Sequence, residues 1–302
     1  MLMAWVIQCE RLTKLYGPVV GVKDLDLQVV EGTFFGFLGP NGAGKTTTIR
    51  LLMGFLRPTA GKALVLGRDA WNEKVFLKRE MGFLPDYPGL YDSLSGRDLL
   101  DYMARLQRQR PVLQRELLER LELSERDLAR QIRGYSRGMR QKLALVQALQ
   151  CDPNLIIMDE PSEGLDPLMQ KALFEVLREL QVKGRTIFMS SHVLSEVERW
   201  CQRVAIIRQG SVVVVEDVAT LRTNKVRNME VVLSRDAPEL NLDLPCVLSA
   251  ERNGRTLHMK VRGDINPLLQ ELSKAGVEDM VYEPARLEDI FMEYYARGQG
   301  GH

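Results

Sequence analysis

The segment that most restricts this chain is FFGFLGPNGAGKTTT, residues 34–48. FFGFL is a continuous apolar run, and a strand covered on both faces of a sheet needs no polar alternation. The run empties into Gly39-Pro40-Asn41-Gly42-Ala43-Gly44-Lys45-Thr46, after which a helical pattern continues to Phe55. Strand, glycine loop and helix in that order make a phosphate-binding loop. Its glycines let backbone N–H groups wrap a β-phosphate, and the helix N-terminus favours negative charge. Lys45 neutralises the β and γ oxygens, and the Thr46 hydroxyl can ligate Mg²⁺. Gly39 through Thr47 are therefore the expected contacts of a nucleotide, ATP with Mg²⁺.

The elements around this loop define the class. Short apolar alternations between 6 and 32, broken by YGPVVG and EGT, predict antiparallel strands, and 62–67 and 81–85 add further ones. Residues 92–133 are rich in Leu, Arg and Glu and predict a helical insert. LIIMDEP, a helix over 167–182, TIFMS, a helix in VLSEVERWC, then RVAIIRQG and SVVVVED alternate strand with helix, which predicts a parallel sheet. The polar stretch 222–228 reads as a linker. Beyond it MEVVLS, a hairpin turning at Asn253-Gly254, a helix over 266–275, VEDMVYE and a helix over 286–296 predict a small α+β domain. Only the final GQGGH reads as disordered.

Composition weighs against several classes. Lys plus Arg total 41 and Asp plus Glu 40, so the global basic field that usually marks a nucleic-acid binder is missing. No segment approaches the ~18 uninterrupted apolar residues of a membrane span. The opening MLMAWVIQCERLTK has neither a basic leader nor a small-residue cleavage site, so a cytosolic chain is expected. Cys9, Cys151, Cys201 and Cys246 are widely spaced without a CxxC pair and read as buried, reduced thiols.

Two acids close the apolar run of LIIMDEP. Alternation along a strand points Asp159 and Glu160 differently, Asp159 toward a magnesium ion and Glu160 toward an attacking water. His192, in MSSHV after the next strand, is a polar tip where a γ-phosphate sensor would sit; taken alone it is an ordinary loop histidine. A second serine-glycine loop, YSRGMRQK at 135–142, precedes an amphipathic helix striped with Met139, Leu143, Val146 and Leu149. Ser136 can offer a hydroxyl and Gly138 a close backbone approach to an anion, or Ser136 can simply cap the helix.

With these motifs in this order, residues 1–222 resemble the nucleotide-binding subunit of an ABC transporter, and the whole resembles its export-type members. The resemblance implies an α/β P-loop NTPase cassette: a parallel-sheet core, an antiparallel β subdomain and a helical subdomain over about 92–150. A small C-terminal α+β domain follows at 223–302. In that family two subunits face head to tail, so Ser136, Arg137, Gly138 and Met139 would close over the γ-phosphate held by the partner's phosphate loop. Arg137 and Met139 depart from the glycine and glutamine of the commoner form LSGGQ. Asp166, in EGLD, would shape the dimer interface, and Tyr16, in KLYG, would stack on adenine, the other reading being a core tyrosine. Asp86 stands where the family usually has a glutamine that senses magnesium and couples to the membrane partner. Set between Pro85 and Pro88 it suits a turn equally well.

The implied protein is an ATPase homodimer at the inner face of the membrane. It would drive export of an unidentified substrate through separate integral-membrane permease subunits, with no nucleic-acid partner. The rival is a soluble ABC ATPase of nucleic acid or ribosomes, which usually carries two cassettes or a long coiled coil; this chain has one phosphate loop and a short insert. His258 reads as structural, and RLEDIFMEYY resembles the closing motif of exporter ATPases, with Leu287, Ile290, Phe291 and Tyr294 as a packing stripe.

Overall fold

A computed structural model describes residues 4–223, 227–234, 238 and 240–282. The chain divides into two compact units, Met1–Val215 and Glu216–His302. The first opens with β1 (Trp5–Tyr16) and β2 (Val19–Val30), an antiparallel pair. β3 (Phe34–Leu38) and α1 (Lys45–Leu52) flank the glycine loop, so the helix stops short of the expected Phe55. β4 (Ala60–Val65) and β5 (Arg68–Asp69) complete a sheet ordered β2-β1-β4-β5. α2 (Lys74–Glu80) leads into β6 (Met81–Leu84), and the helical insert follows: α3 (Gly96–Gln107), α4 (Gln114–Arg120), α5 (Glu125–Leu128) and α6 (Arg137–Leu149).

β7 (Leu155–Asp159), α7 (Pro167–Val182), β8 (Thr186–Ser191), α8 (Leu194–Trp200), β9 (Arg203–Arg208) and β10 (Ser211–Asp217) complete the unit. The six-stranded sheet runs β10-β9-β3-β8-β7-β6, and β3 pairs parallel with β8 and β9, as β7 does with β6 and β8. Every residue of β3, β7 and β8 is buried, which is why FFGFL and LIIM run apolar without alternation. Phe188 stacks on Phe35 at 5.8 Å and meets Phe37 tilted at 5.5 Å between ring centres. Each such ring contributes about 1.5–3 kcal/mol by burial. Because neighbouring strands are parallel, Leu38 lies beside Ser191 and Asp159 beside Ser190, so the glycine loop, Glu160 and His192 all leave one edge of the sheet.

α6 departs from a one-sided stripe. Gln141, Leu143, Ala144, Leu145, Val146, Ala148 and Leu149 are all buried, because β6, α3 and α4 pack around it, while Met139 is only half-buried. α2, a seven-residue helix, was not expected; its single fully buried residue, Leu77, gives no period to read.

The second unit holds α9 (Val218–Thr223), β11 (Arg227–Leu233), β12 (Val247–Asn253), β13 (Thr256–Val261), α10 (Asn266–Ser273) and β14 (Val277–Tyr282). Its antiparallel sheet is ordered β12-β13-β11-β14. Met229, Val231, Leu233, Leu257, Met259 and Val261 share a core with Leu268 and Leu272 of α10. Two expectations are corrected here. The segment 222–228 is a linker only in part, since α9 runs through Thr223 and β11 starts at Arg227. The hairpin turns at Gly254-Arg255, because Asn253 already pairs with Thr256 and Gly254 takes the positive φ of 60° at the first loop position. The helix expected over 286–296, with its four stripe residues, lies outside the described residues. His258 is on β13, its ring 3.7 Å from Glu230.

Candidate active site

At the edge where β3, β7 and β8 end, the first unit encloses a cavity of about 700 Å³. Pro40, Asn41, Gly42, Gly44, Lys45, Thr46 and Thr47 form one wall, Tyr16 and residues 19–21 another, and Asp86, Glu160, Glu163 and His192 a third. Tyr16 is exposed at the mouth, so it is not a core tyrosine.

The glycine loop presents the start of α1 to this space. Gly44 precedes the helix at φ 109°, and a Cβ there would sit 2.6 Å from the Gly21 carbonyl, so only glycine lets the loop meet the start of β2. No side chain caps α1. Its first N–H groups are thus left for a ligand, and together with the helix dipole they form an anion site. Lys45 is buried; its Nζ donates to the Gly39 carbonyl at 2.7 Å and lies 3.2 Å from Glu160 Oε1. That carboxylate oxygen has no hydrogen-bond partner among the described residues. A buried ammonium ion-paired to a carboxylate beside uncapped helix amides fits a triphosphate and a water.

Glu160 follows β7 in a left-handed conformation, φ 51°, so its divergence from Asp159 comes from this turn rather than from strand alternation. Such a residue costs on the order of 1–3 kcal/mol and persists where its surroundings fix it. Here the Glu160 N–H donates to Ser190 Oγ at 3.1 Å, and the His192 N–H and Nδ1 lie 3.3 and 2.9 Å from Glu160 Oε2. Asp159 lies behind the cavity wall, 2% exposed, and accepts from Ser190 Oγ at 2.5 Å. Ser190 therefore orients both acids.

The remaining expected residues divide into two groups. Gly39 and Ala43 support the loop from beneath; a Cβ on Gly39 would meet the Ile207 carbonyl at 2.6 Å, and Ala43 belongs to the core. Ser136, Arg137, Gly138, Met139 and Asp166 do not line the cavity. Ser136 Oγ caps α6 by accepting from the Met139 N–H at 3.2 Å, and Asp166 caps α7 through the amides of Leu168 and Met169. Asp86 does line it. Its pKa is raised, first by partial burial, then by the charge of Glu163 and of Asp159 and by a hydrogen bond shared with Glu163.

Among the described residues no three His, Cys, Asp or Glu side chains could hold a metal by themselves. The donors present, Thr46, Asp86 and Asp159, are oxygens, which suits Mg²⁺, an ion that keeps several waters and relies on substrate phosphates. Glu163 is a cavity residue that sequence reading missed. The available signal was a further acid three positions beyond Glu160, inside a segment already singled out.

A family model described as ABC transporter matches residues 22–163. An uncharacterized ABC transporter ATP-binding protein of Nostoc is 44% identical over 69% of this chain; the chain spans 65% of that relative, just under two thirds of its length. The Nod factor export ATP-binding protein I of Cupriavidus metallidurans is 34% identical over 98% of this chain and 99% of its own length. A solved structure of the ATP-binding subunit of an ABC transporter shares 30% identity and a TM-score of 0.68, covering 72% of this chain and 92% of that one. The cavity, the sheet that builds it and these likenesses agree on an ATP-binding cassette. The chain belongs to the ATP-binding subunits of ABC transporters, an ATPase family, among relatives of the export type. Among the described residues no helix is long and apolar enough to cross a membrane.

Proposed function

We propose that this chain hydrolyses MgATP in a head-to-tail homodimer at the inner face of the cell membrane and thereby drives export through separate permease subunits. Residues 1–222 would be the ATPase domain and 223–302 an accessory domain. The observation that carries the reading is Glu160, held between Lys45 and His192 at the mouth of an uncapped helix N-terminus. A carboxylate in that position can accept a proton from water while the amides and the ammonium beside it stabilise charge on the phosphoryl oxygens.

The roles follow from position. Tyr16 offers a ring for adenine, the 39–47 loop wraps the phosphates and Lys45 bridges their β and γ oxygens. Thr46, Asp86 and, through water, Asp159 would hold Mg²⁺, which neutralises the triphosphate when bound. Glu160 polarises the attacking water and His192 keeps that carboxylate oriented beside the γ-phosphate. Ser136, Arg137, Gly138 and Met139 serve the partner's nucleotide, and Asp166 shapes the contact between subunits. The export names of the relatives support transport out of the cell, with the cargo selected by the permease.

Glu160→Gln tests this reading. It removes the base and keeps the shape, so turnover should fall by roughly 10²–10⁴ while ATP still binds. ATP should then trap a dimer in size-exclusion chromatography. Turnover at the wild-type rate contradicts the assignment.

A further inference from the structure

Two arginines in the first turn of α6 each reach an acid on a different loop. The Arg137 Nη2 donates to Glu163 Oε1 at 2.6 Å, and the Arg140 Nη1 donates to Asp92 Oδ1 at 2.6 Å. The stem of Arg137 lies over the loop that carries Glu163: a Cβ on Gly164 would sit 3.2 Å from Arg137 Nε and 3.6 Å from its Cγ and Cδ. A Cβ added at Gly138 would lie 3.6 Å from the Gly164 carbonyl, so the two loops run close together. Glu163 in turn lines the nucleotide cavity together with Asp86. The first turn of α6 is thus tied through Arg137 to the loop that carries the cavity residue Glu163 and through Arg140 to the loop that carries Asp92.

These ties are of the kind that reposition a loop and add little to stability. Arg137 is 67% exposed and Glu163 46%, and exposed ion pairs contribute about 0–1 kcal/mol. Their geometry is specific all the same, since a guanidinium fork holds direction as well as charge.

We propose that Glu163 and Arg137 are positioning residues that couple the filling of one subunit's nucleotide cavity to the orientation of the first turn of its α6. This rests on the two-subunit reading above, in which that turn closes over the partner's ATP. When a triphosphate enters, the acids lining the cavity rearrange around it. Glu163 moves with them and carries Arg137, so a filled subunit presents its 136–139 loop in the closing geometry and an empty one does not.

The test measures ATP-driven dimer formation by light scattering in the full chain with Glu160→Gln, so that no turnover intervenes. Monomer affinity for a fluorescent ATP analogue is the reference for each variant. Adding Glu163→Gln or Arg137→Gln should raise the ATP needed for half-maximal dimer, relative to that reference, on the order of three- to tenfold. The double variant should be no worse than the worse single one, because both remove the same tie, and Arg137→Lys should fall between wild type and Arg137→Gln. Additive losses, or unchanged ATP dependence, overturn the coupling. So does a lower ATP requirement for Glu163→Gln, since Arg137 would then bind phosphate directly and Glu163 would only restrain it. If the Glu160→Gln chain forms no ATP-driven dimer at all, the two-subunit reading falls and this inference with it; a dimer indifferent to residues 137 and 163 overturns the inference alone.

Discussion

The N-termini of α1 and α6 both follow a glycine- or serine-bearing loop and are finished differently. α1 starts behind a glycine with no side-chain cap, and its first residue, Lys45, is 6% exposed and turned into a walled cavity. α6 starts behind Ser136, whose hydroxyl already accepts one of the helix N–H groups, and its first residue, Arg137, is 67% exposed. Free amides, a buried cation and an enclosed space make the first an anion site within one chain. The second has glycine and serine at the right points but no opposite wall. The contrast is the one expected under the proposal that a second subunit supplies the wall the α6 loop lacks.

Breaking the complete site should have the largest effect. Lys45→Ala removes a buried cation from the cavity wall and leaves Glu160 without that ion-pair partner. ATP affinity, measured by isothermal titration, should fall by ~100-fold or more, in line with losing a charge-assisted contact at a desolvated site. A loss below about threefold would mean that the loop amides alone hold the nucleotide.

The incomplete site should respond weakly in the monomer. Ser136→Ala deletes the cap of α6 and should cost about 1 kcal/mol, seen as a modestly lower unfolding midpoint in urea. Monomer affinity for ATP should change by less than about twofold. A large drop in monomer affinity would show that the 136–139 loop serves its own chain's cavity and would dissolve the contrast between the two helices.

Much of this was legible in the sequence, for reasons that separate local from long-range information. β3 and β7 could be read because strands buried on both faces must be apolar throughout, and α7 over 167–182 because Asp166 and Pro167 mark its start. The glycine loop announced itself since its function is carried by consecutive residues. Glu160 was found for a reason that the structure revises: strand alternation does not set its direction, a left-handed turn held by Ser190 and His192 does. Glu163 was missed because its significance depends on Arg137, 26 positions away, and on Asp86 from a third loop. The one-residue slip at the 253–255 hairpin has the same origin, since pairing across β12 and β13 decides which residues turn.

The most direct measurement of the shared site is complementation between two disabled chains. Ser136→Arg keeps the phosphate loop and spoils the α6 loop; Lys45→Ala does the reverse. Each alone should be nearly inactive, because every composite site in its homodimer contains a damaged half. Mixed one to one, they form heterodimers in which one site joins the intact phosphate loop of one chain to the intact α6 loop of the other. ATP turnover in the mixture should rise well above the sum of the two parents. Turnover that stays at that sum, or a Ser136→Arg homodimer as active as wild type, would contradict the division of the site between two chains.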